Sequence, residues 1–222
     1  MVGALLFDFD GVIADSEALA NTVLAEWVTT LGLPTTCDQA LDRYMGKRWA
    51  EAIAAIEQAI GRPVPERFAD DLKRATLARF RTDLCEVAGA TKFLEAFAEV
   101  PRCIASSSSV ERLALCLDIV GLADMFGTHV YSADLVARGK PAPDIYLLAA
   151  ERLNVVSSAC VVIEDSPGGV RAGRAAGMTV IGLCAGSHIR AGHGGRLREA
   201  GAHHVAASWA DAEEIVAGLR MG

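Results

Sequence analysis

A short, unbroken apolar run lies at residues 4–7 (Ala-Leu-Leu-Phe), and similar runs recur at 102–105 (Arg-Cys-Ile-Ala), 160–163 (Cys-Val-Val-Ile) and 179–182 (Thr-Val-Ile-Gly), with a weaker one at 204–206. Runs of this length without polar alternation read as strands buried on both faces, the pattern of a parallel sheet. Between them, apolar positions recur at helical spacing over 110–120, 144–153, 168–176, 192–200 and 211–219. Strand and helix alternate regularly from about residue 88 onward. That alternation predicts βαβ units and a doubly wound α/β fold with a parallel sheet.

Residues 16–85 break the rhythm. Helical spacing persists over 18–31, 37–44, 49–60 and 65–81, with Gly32-Leu33-Pro34 and Gly61-Arg62-Pro63 as punctuation and no convincing strand. A crossover between parallel strands needs one helix, so four predict an inserted subdomain. The expected organisation is an α/β core of residues 1–15 and 86–222 with an α-helical insert at 16–85.

Composition narrows the class. The 222 residues carry 21 Lys+Arg against 28 Asp+Glu, a formal net charge of −7, and 52% are hydrophobic. Such a chain buries a core rather than remaining disordered. Without a basic stripe to displace phosphate counterions, it is expected not to bind nucleic acid. Apolar runs fall short of the ~18 residues of a membrane span, so no membrane partner is expected. Six cysteines lie in apolar segments with no CxxC pair. They suit buried free thiols in a reducing, cytoplasmic setting better than a disulfide frame or a zinc site. A monomer or small homo-oligomer is expected.

The acid is concentrated at strand ends. In Asp8-Phe9-Asp10-Gly11, residues two apart project to one face, so Asp8 and Asp10 meet at the carboxyl edge where open α/β sheets bind ligands. Gly11 permits a sharp exit turn. An acidic turn after a strand is the plainer account of that tetrapeptide alone. Glu164-Asp165-Ser166-Pro167 also follows a strand; helix capping explains Ser166-Pro167 but leaves Glu164 unexplained. If both strands are central, four carboxylates converge and imply a hard, oxygen-seeking cation, Mg2+ being the natural choice. Ser106, with Ser107 beside it, offers a hydroxyl and a backbone N–H near a helix start, suited to a phosphate or simply to a cap. Lys140 sits in the loop Gly139-Lys140-Pro141.

The motifs Asp8-x-Asp10-Gly-Val, Ser106, Gly-Lys140-Pro and Glu164-Asp165-Ser-x-x-Gly resemble, in order and spacing, the four motifs of haloacid dehalogenase-like hydrolases. The stretch 162–178 is similar to the branch of sugar-phosphate phosphatases and β-phosphoglucomutases. The resemblance implies a Rossmann-like core with a helical cap at 16–85, hinged near 14–16 and 84–89. It implies that Asp8 is the nucleophile, forming an aspartyl-phosphate, and that Asp10 is the general acid and base. Mg2+ would be held by Asp8, the Asp10 carbonyl, Asp165 and Glu164, direct or through water. Ser106, Ser107 and Lys140 would bind the phosphoryl group of a small phosphorylated metabolite. Halide displacement needs no second acid, so Asp10 argues against a dehalogenase. Mutase-like relatives carry a histidine where this chain has Ala20, which favours a phosphatase over the alternative of a sugar phosphomutase. A non-catalytic binding protein on the same fold is the rival from another class. In the cap loop Met45-Gly46-Lys47-Arg48-Trp49, Lys47 and Arg48 are candidate specificity residues. The glycine-rich loop 185–195 reads as mobile, with weak potential to contact substrate.

Overall fold

The computed structural model describes residues 2–45 and 49–221. Two compact units are present, one of residues 1–15 and 85–222, the other of residues 16–84. Cys85, which the helical spacing assigns to the insert, falls in the first unit, where its carbonyl accepts from the Asp15 N–H at 3.0 Å.

The first unit is organised by one parallel sheet. Among the described residues its strands are β1 (Ala4–Phe7), β2 (Arg102–Ser106), β3 (Val130–Ser132), β4 (Cys160–Glu164), β5 (Thr179–Leu183) and β6 (His204–Ala206), in the order β3-β2-β1-β4-β5-β6. Every residue of β1 and β4 is buried, as unbroken apolar runs require. Successive side chains leave opposite faces. Leu6 joins one core with Tyr146, Ala149 and Val170, while the Phe7 ring meets Phe93 and Phe126 edge-on, each at 6.0 Å.

The chain winds outward from β1 through β2 to β3, then returns to the opposite side of β1 with β4. Winding therefore reverses beside β1, the switch point at which such sheets leave a crevice beyond their carboxyl ends. Phe7 is in register with Ile163, so Asp8 reaches that edge level with Glu164.

The helical spacing does not foresee β3, nor the helices Ala90–Ala96 and Ala123–Phe126. β3 is a three-residue edge strand whose Val130 is only half-buried, too short to register as an apolar run. Boundaries also move where caps decide them. The last helix starts at Trp209, its first turn tied by Asp211 N–H donating to Ser208 Oγ at 3.2 Å.

In the second unit, helices Ser16–Thr30, Cys37–Tyr44, Trp49–Ile60 and Phe68–Asp83 enclose a core that includes Val28, Ala40, Ile56 and Phe68. Phe68 takes Trp27 edge-on at 6.0 Å and stacks on Trp49 at 6.5 Å. Thr36 and Gln39 form a reciprocal capping box at the start of the Cys37–Tyr44 helix. Lys47 and Arg48 lie outside the described residues.

The cysteines are all free. Cys103, Cys116 and Cys160 are buried; burial pushes the Cys116 and Cys160 thiols up to about 11. Cys85 is exposed and Cys37 and Cys184 are half-buried, so burial accounts for only part of the set. Among the described residues, no helix is long and apolar enough to cross a membrane.

Candidate active site

Asp8 follows β1 at the switch point and is buried. Lys140 reaches it from a separate loop: its Nζ donates to Asp8 Oδ1 at 2.8 Å and to Glu164 Oε1 at 2.7 Å. A bidentate pair closes that loop, Arg138 donating to Asp144 at 3.0 and 2.9 Å. The ammonium also lies 4.8 Å from the Tyr146 ring centre. Desolvation alone would lower the Lys140 pKa, but the charges of Asp8 and Glu164 outweigh it and hold the lysine well above its ordinary value. Lys140 is therefore a buried, charged part of the site rather than a solvated loop lysine.

Glu164 closes β4 and is saturated. Its Oε1 accepts from Lys140 and from Tyr146 Oη at 3.1 Å, and its Oε2 accepts from Ser166 N–H at 2.8 Å and Ser166 Oγ at 2.9 Å. These bonds use the roughly four acceptor positions of a carboxylate. The side chain sits against the start of the helix Pro167–Ala175, where a Cβ on Gly169 would fall 1.4 Å from Glu164 Oε1. Glycine at 169 is thus a steric requirement of the glutamate. Ser166 caps the same helix, its Oγ accepting from Gly169 N–H at 3.0 Å.

Asp165 is braced from the glycine-rich loop. His188 Nε2 lies 3.0 Å from Asp165 Oδ2; an ionised carboxylate only accepts, so the imidazole donates. His193 Nε2 donates to the Asp165 carbonyl at 2.5 Å. Arg196 donates to His193 Nδ1 at 2.8 Å. A guanidinium can only donate, so His193 is the neutral tautomer with its proton on Nε2. Burial lowers the His193 pKa in the same sense. Ser187 donates to Asp15 Oδ1 through both its N–H and its Oγ, each at 2.9 Å. The loop expected to be mobile is anchored at three points in the first unit.

Asp10 is held apart from this cluster. Its Oδ2 accepts from Ser108 Oγ at 2.6 Å and its Oδ1 from Arg112. Ser108 is in turn fixed by Ser132 Oγ, which donates to its carbonyl at 2.7 Å. Ser106 is buried at the end of β2, and its Oγ accepts from Ser108 N–H at 3.0 Å, while Ser107 is exposed. Tyr146, Ser108, Arg112, His188 and His193 are not singled out by the sequence motifs.

The carboxylate oxygens of Asp8, Glu164 and Asp165 lie within 4.8 Å of one another, all on buried residues. Burial raises the Asp8 pKa well above the ordinary carboxylate range; Lys140 opposes this, while Glu164 and Asp165 add to it. Three carboxylates thus face one ammonium in a desolvated pocket. A divalent cation with a preference for hard oxygen donors fits both the donor set and its charge imbalance.

A parallel sheet with carboxylates converging at its switch point, opposite a buried lysine, defines a class. Residues 2–177 match the haloacid dehalogenase-like hydrolase family, and the chain belongs to it. Among curated relatives, the 6-phosphogluconate phosphatase of Escherichia coli (strain K12) is 27% identical over 84% of this chain and 85% of its own length. A haloacid dehalogenase-like protein from Agrobacterium tumefaciens str. C58 superimposes with a TM-score of 0.90 at 36% identity, covering 99% of this chain and 100% of that one. A family hydrolase from Deinococcus radiodurans R1, solved with bound phosphate and sodium, gives a TM-score of 0.87 at 34% identity, covering 99% of this chain and 97% of that one.

Proposed function

We propose that the chain is a Mg2+-dependent phosphatase that hydrolyses a small phosphorylated metabolite, a sugar or sugar-acid phosphate, through an aspartyl-phosphate. The observation that carries this reading is Asp8 at the switch point, bonded to a buried lysine and grouped with Glu164 and Asp165. The relatives support the substrate class: one is a 6-phosphogluconate phosphatase and another, from Thermotoga maritima at 34% identity, a phosphorylated carbohydrates phosphatase.

In this reading, an Asp8 carboxylate oxygen attacks phosphorus and the bond from phosphorus to the ester oxygen breaks. Asp10 gives its proton to the departing alkoxide, so the alcohol leaves neutral. Water then attacks the phosphorus of the aspartyl-phosphate, Asp10 takes a proton from that water, and Asp8 is regenerated as inorganic phosphate forms. To give or take a proton, the Asp10 carboxyl exchanges its contact with Arg112 for the reacting oxygen. Asp8, Asp165 and the Asp10 carbonyl would hold the cation; Glu164, saturated by hydrogen bonds, contributes by fixing Lys140 and by its charge. When bound, the cation would supply positive charge that offsets the repulsion between carboxylate and phosphate. Lys140 does the same from the protein side, and Ser106 with Ser107 lines the phosphoryl position at the end of β2.

The test is phosphate release from a panel of sugar, polyol and sugar-acid phosphates, with product analysis to separate hydrolysis from isomerisation. Free phosphate stoichiometric with the dephosphorylated sugar is expected. An isomeric sugar phosphate without phosphate release overturns the phosphatase in favour of a mutase. Treatment with EDTA is expected to abolish turnover and added Mg2+ to restore it; full activity in the stripped protein refutes the metal requirement.

Asp10→Asn is expected to slow alkyl phosphates by about 10²–10⁴-fold, the range of general acid–base catalysis. Aryl phosphates, whose leaving group departs as a stabilised phenolate, should lose much less. Equal losses on both classes would exclude the acid role.

A further inference from the structure

One segment of the first unit has no part in the chemistry just described, yet it touches the cation cluster twice. Residues 186–193 bring two buried histidines to Asp165, one to its side chain and one to its carbonyl. The two rings lie edge-to-face, with centroids 6.2 Å apart.

The position of His188 is built by its neighbours. A Cβ on Gly11 would stand 2.6 Å from His188 Cε1 and 2.0 Å from Asp165 Oδ2. A Cβ on Gly186 would stand 2.7 Å from His188 Nδ1 and 2.9 Å from the Gly11 carbonyl. Glycine on both sides therefore leaves a slot that the imidazole occupies. Gly11 also has a left-handed φ of 78°, so both its conformation and the space beside it exclude a side chain. The residue before His188 is tied to Asp15, which sets the height of the loop.

We propose that residues 186–193 form a histidine clamp that positions Asp165 as a ligand for the divalent cation, His188 orienting the carboxylate and His193 fixing the backbone beneath it. This rests on the metal-dependent reading above and goes beyond it by assigning positioning residues outside the four sequence motifs. The physical basis is general. A ligating carboxylate left to rotate loses entropy on binding the ion, and one held in place by a donor does not. His193 acts one bond further back: by accepting its Nε2–H, the Asp165 carbonyl holds the peptide plane from which the side chain departs.

Mg2+ titration of the metal-stripped full chain by calorimetry tests the clamp without recourse to activity. His188→Asn, too short to reach Asp165, is expected to weaken Mg2+ binding by about 10–100-fold, the usual range for partners of a metal ligand. His188→Gln places an amide nitrogen near the lost Nε2 and is expected to recover most of that affinity. The Mg2+ concentration that gives half-maximal activity should rise in step with the loss of affinity. Melting in EDTA separates these effects from unfolding, and if His188→Asn does not fold, the comparison passes to His193→Asn, too short to reach the Asp165 carbonyl and expected to weaken Mg2+ binding in the same sense. Wild-type affinity in folded His188→Asn, or in folded His193→Asn where His188→Asn does not fold, overturns the clamp while leaving the phosphatase intact. Absence of Mg2+ binding by the wild type overturns the metal-dependent reading itself, so the two failures are distinct.

Discussion

Asp8→Asn is expected to reduce hydrolysis of every phosphate ester by on the order of 10⁴-fold or more, as loss of a nucleophile does when no neighbour can replace it. An amide has no anionic oxygen to attack phosphorus. The neighbouring Glu164 is no substitute, because its acceptor positions are spent on Lys140, Tyr146 and Ser166. The loss should come in kcat, and incubation with substrate should leave no acid-stable, base-labile phosphate on the variant. Appreciable turnover in Asp8→Asn removes Asp8 from the nucleophile role.

The same variant has a signature in stability. Burial raises the Asp8 pKa in the folded protein, with Glu164 and Asp165 adding to it. The native state therefore holds a proton that the unfolded chain gives up at ordinary carboxylate pH. The slope of unfolding free energy with pH follows the protons bound by the unfolded state minus those bound by the native state, and here that difference is negative. The contribution is full below the unfolded value and is lost as pH rises through the folded one. The metal-free wild type should thus lose melting temperature as pH climbs above the ordinary carboxylate range. Mg2+ should flatten the slope, and Asp8→Asn should remove much of it. A metal-free melting curve that rises with pH over that window would contradict the assigned burial.

Lys140→Met is expected to be the most destabilising single change in the site. Among the described residues the lysine is the cation bonded to both Asp8 and Glu164, and its side chain is 7% exposed. Methionine fills similar space but leaves two buried carboxyls uncompensated. Removing one partner of a buried pair costs about 3–5 kcal/mol, because the charge left behind is still desolvated. For a chain of this length, that is a fall in melting temperature of roughly 6–20 °C. Mg2+ binds the native state alone, and without Lys140 it meets more uncompensated negative charge, so it should stabilise the variant more strongly than the wild type and narrow the gap. A melting point equal to wild type in EDTA would mean that Lys140 is not part of the charge balance. A gap unchanged by Mg2+ would mean that the cation does not offset the charge that Lys140 leaves behind.

Much of this was legible along the chain because it depends on short-range periodicity and on what a residue type can do. The unbroken apolar runs at 4–7 and 160–163 read as strands buried on both faces, and they are β1 and β4. The pairs Asp8/Asp10 and Glu164/Asp165 were visible because carboxylates directly after such strands have no structural use that explains all four. Edge elements such as β3 were not visible: three residues with one half-buried side chain leave no periodic trace.

The sequence by itself determined the class of fold, the acidic strand ends and the family, since local hydrophobicity and motif spacing are properties of neighbouring residues. Only the tertiary structure decided the electrostatics. Lys140 became a buried partner of Asp8 across 132 residues, and Asp10 was drawn to Arg112 across 102. The loop 185–195 shows the difference most plainly. Its glycines suggest mobility in isolation, yet Gly186 is there to make room for His188, and His188 is held by Asp165. Glycine's freedom is a local property; whether it is spent on motion or on close approach depends on what the rest of the fold brings beside it.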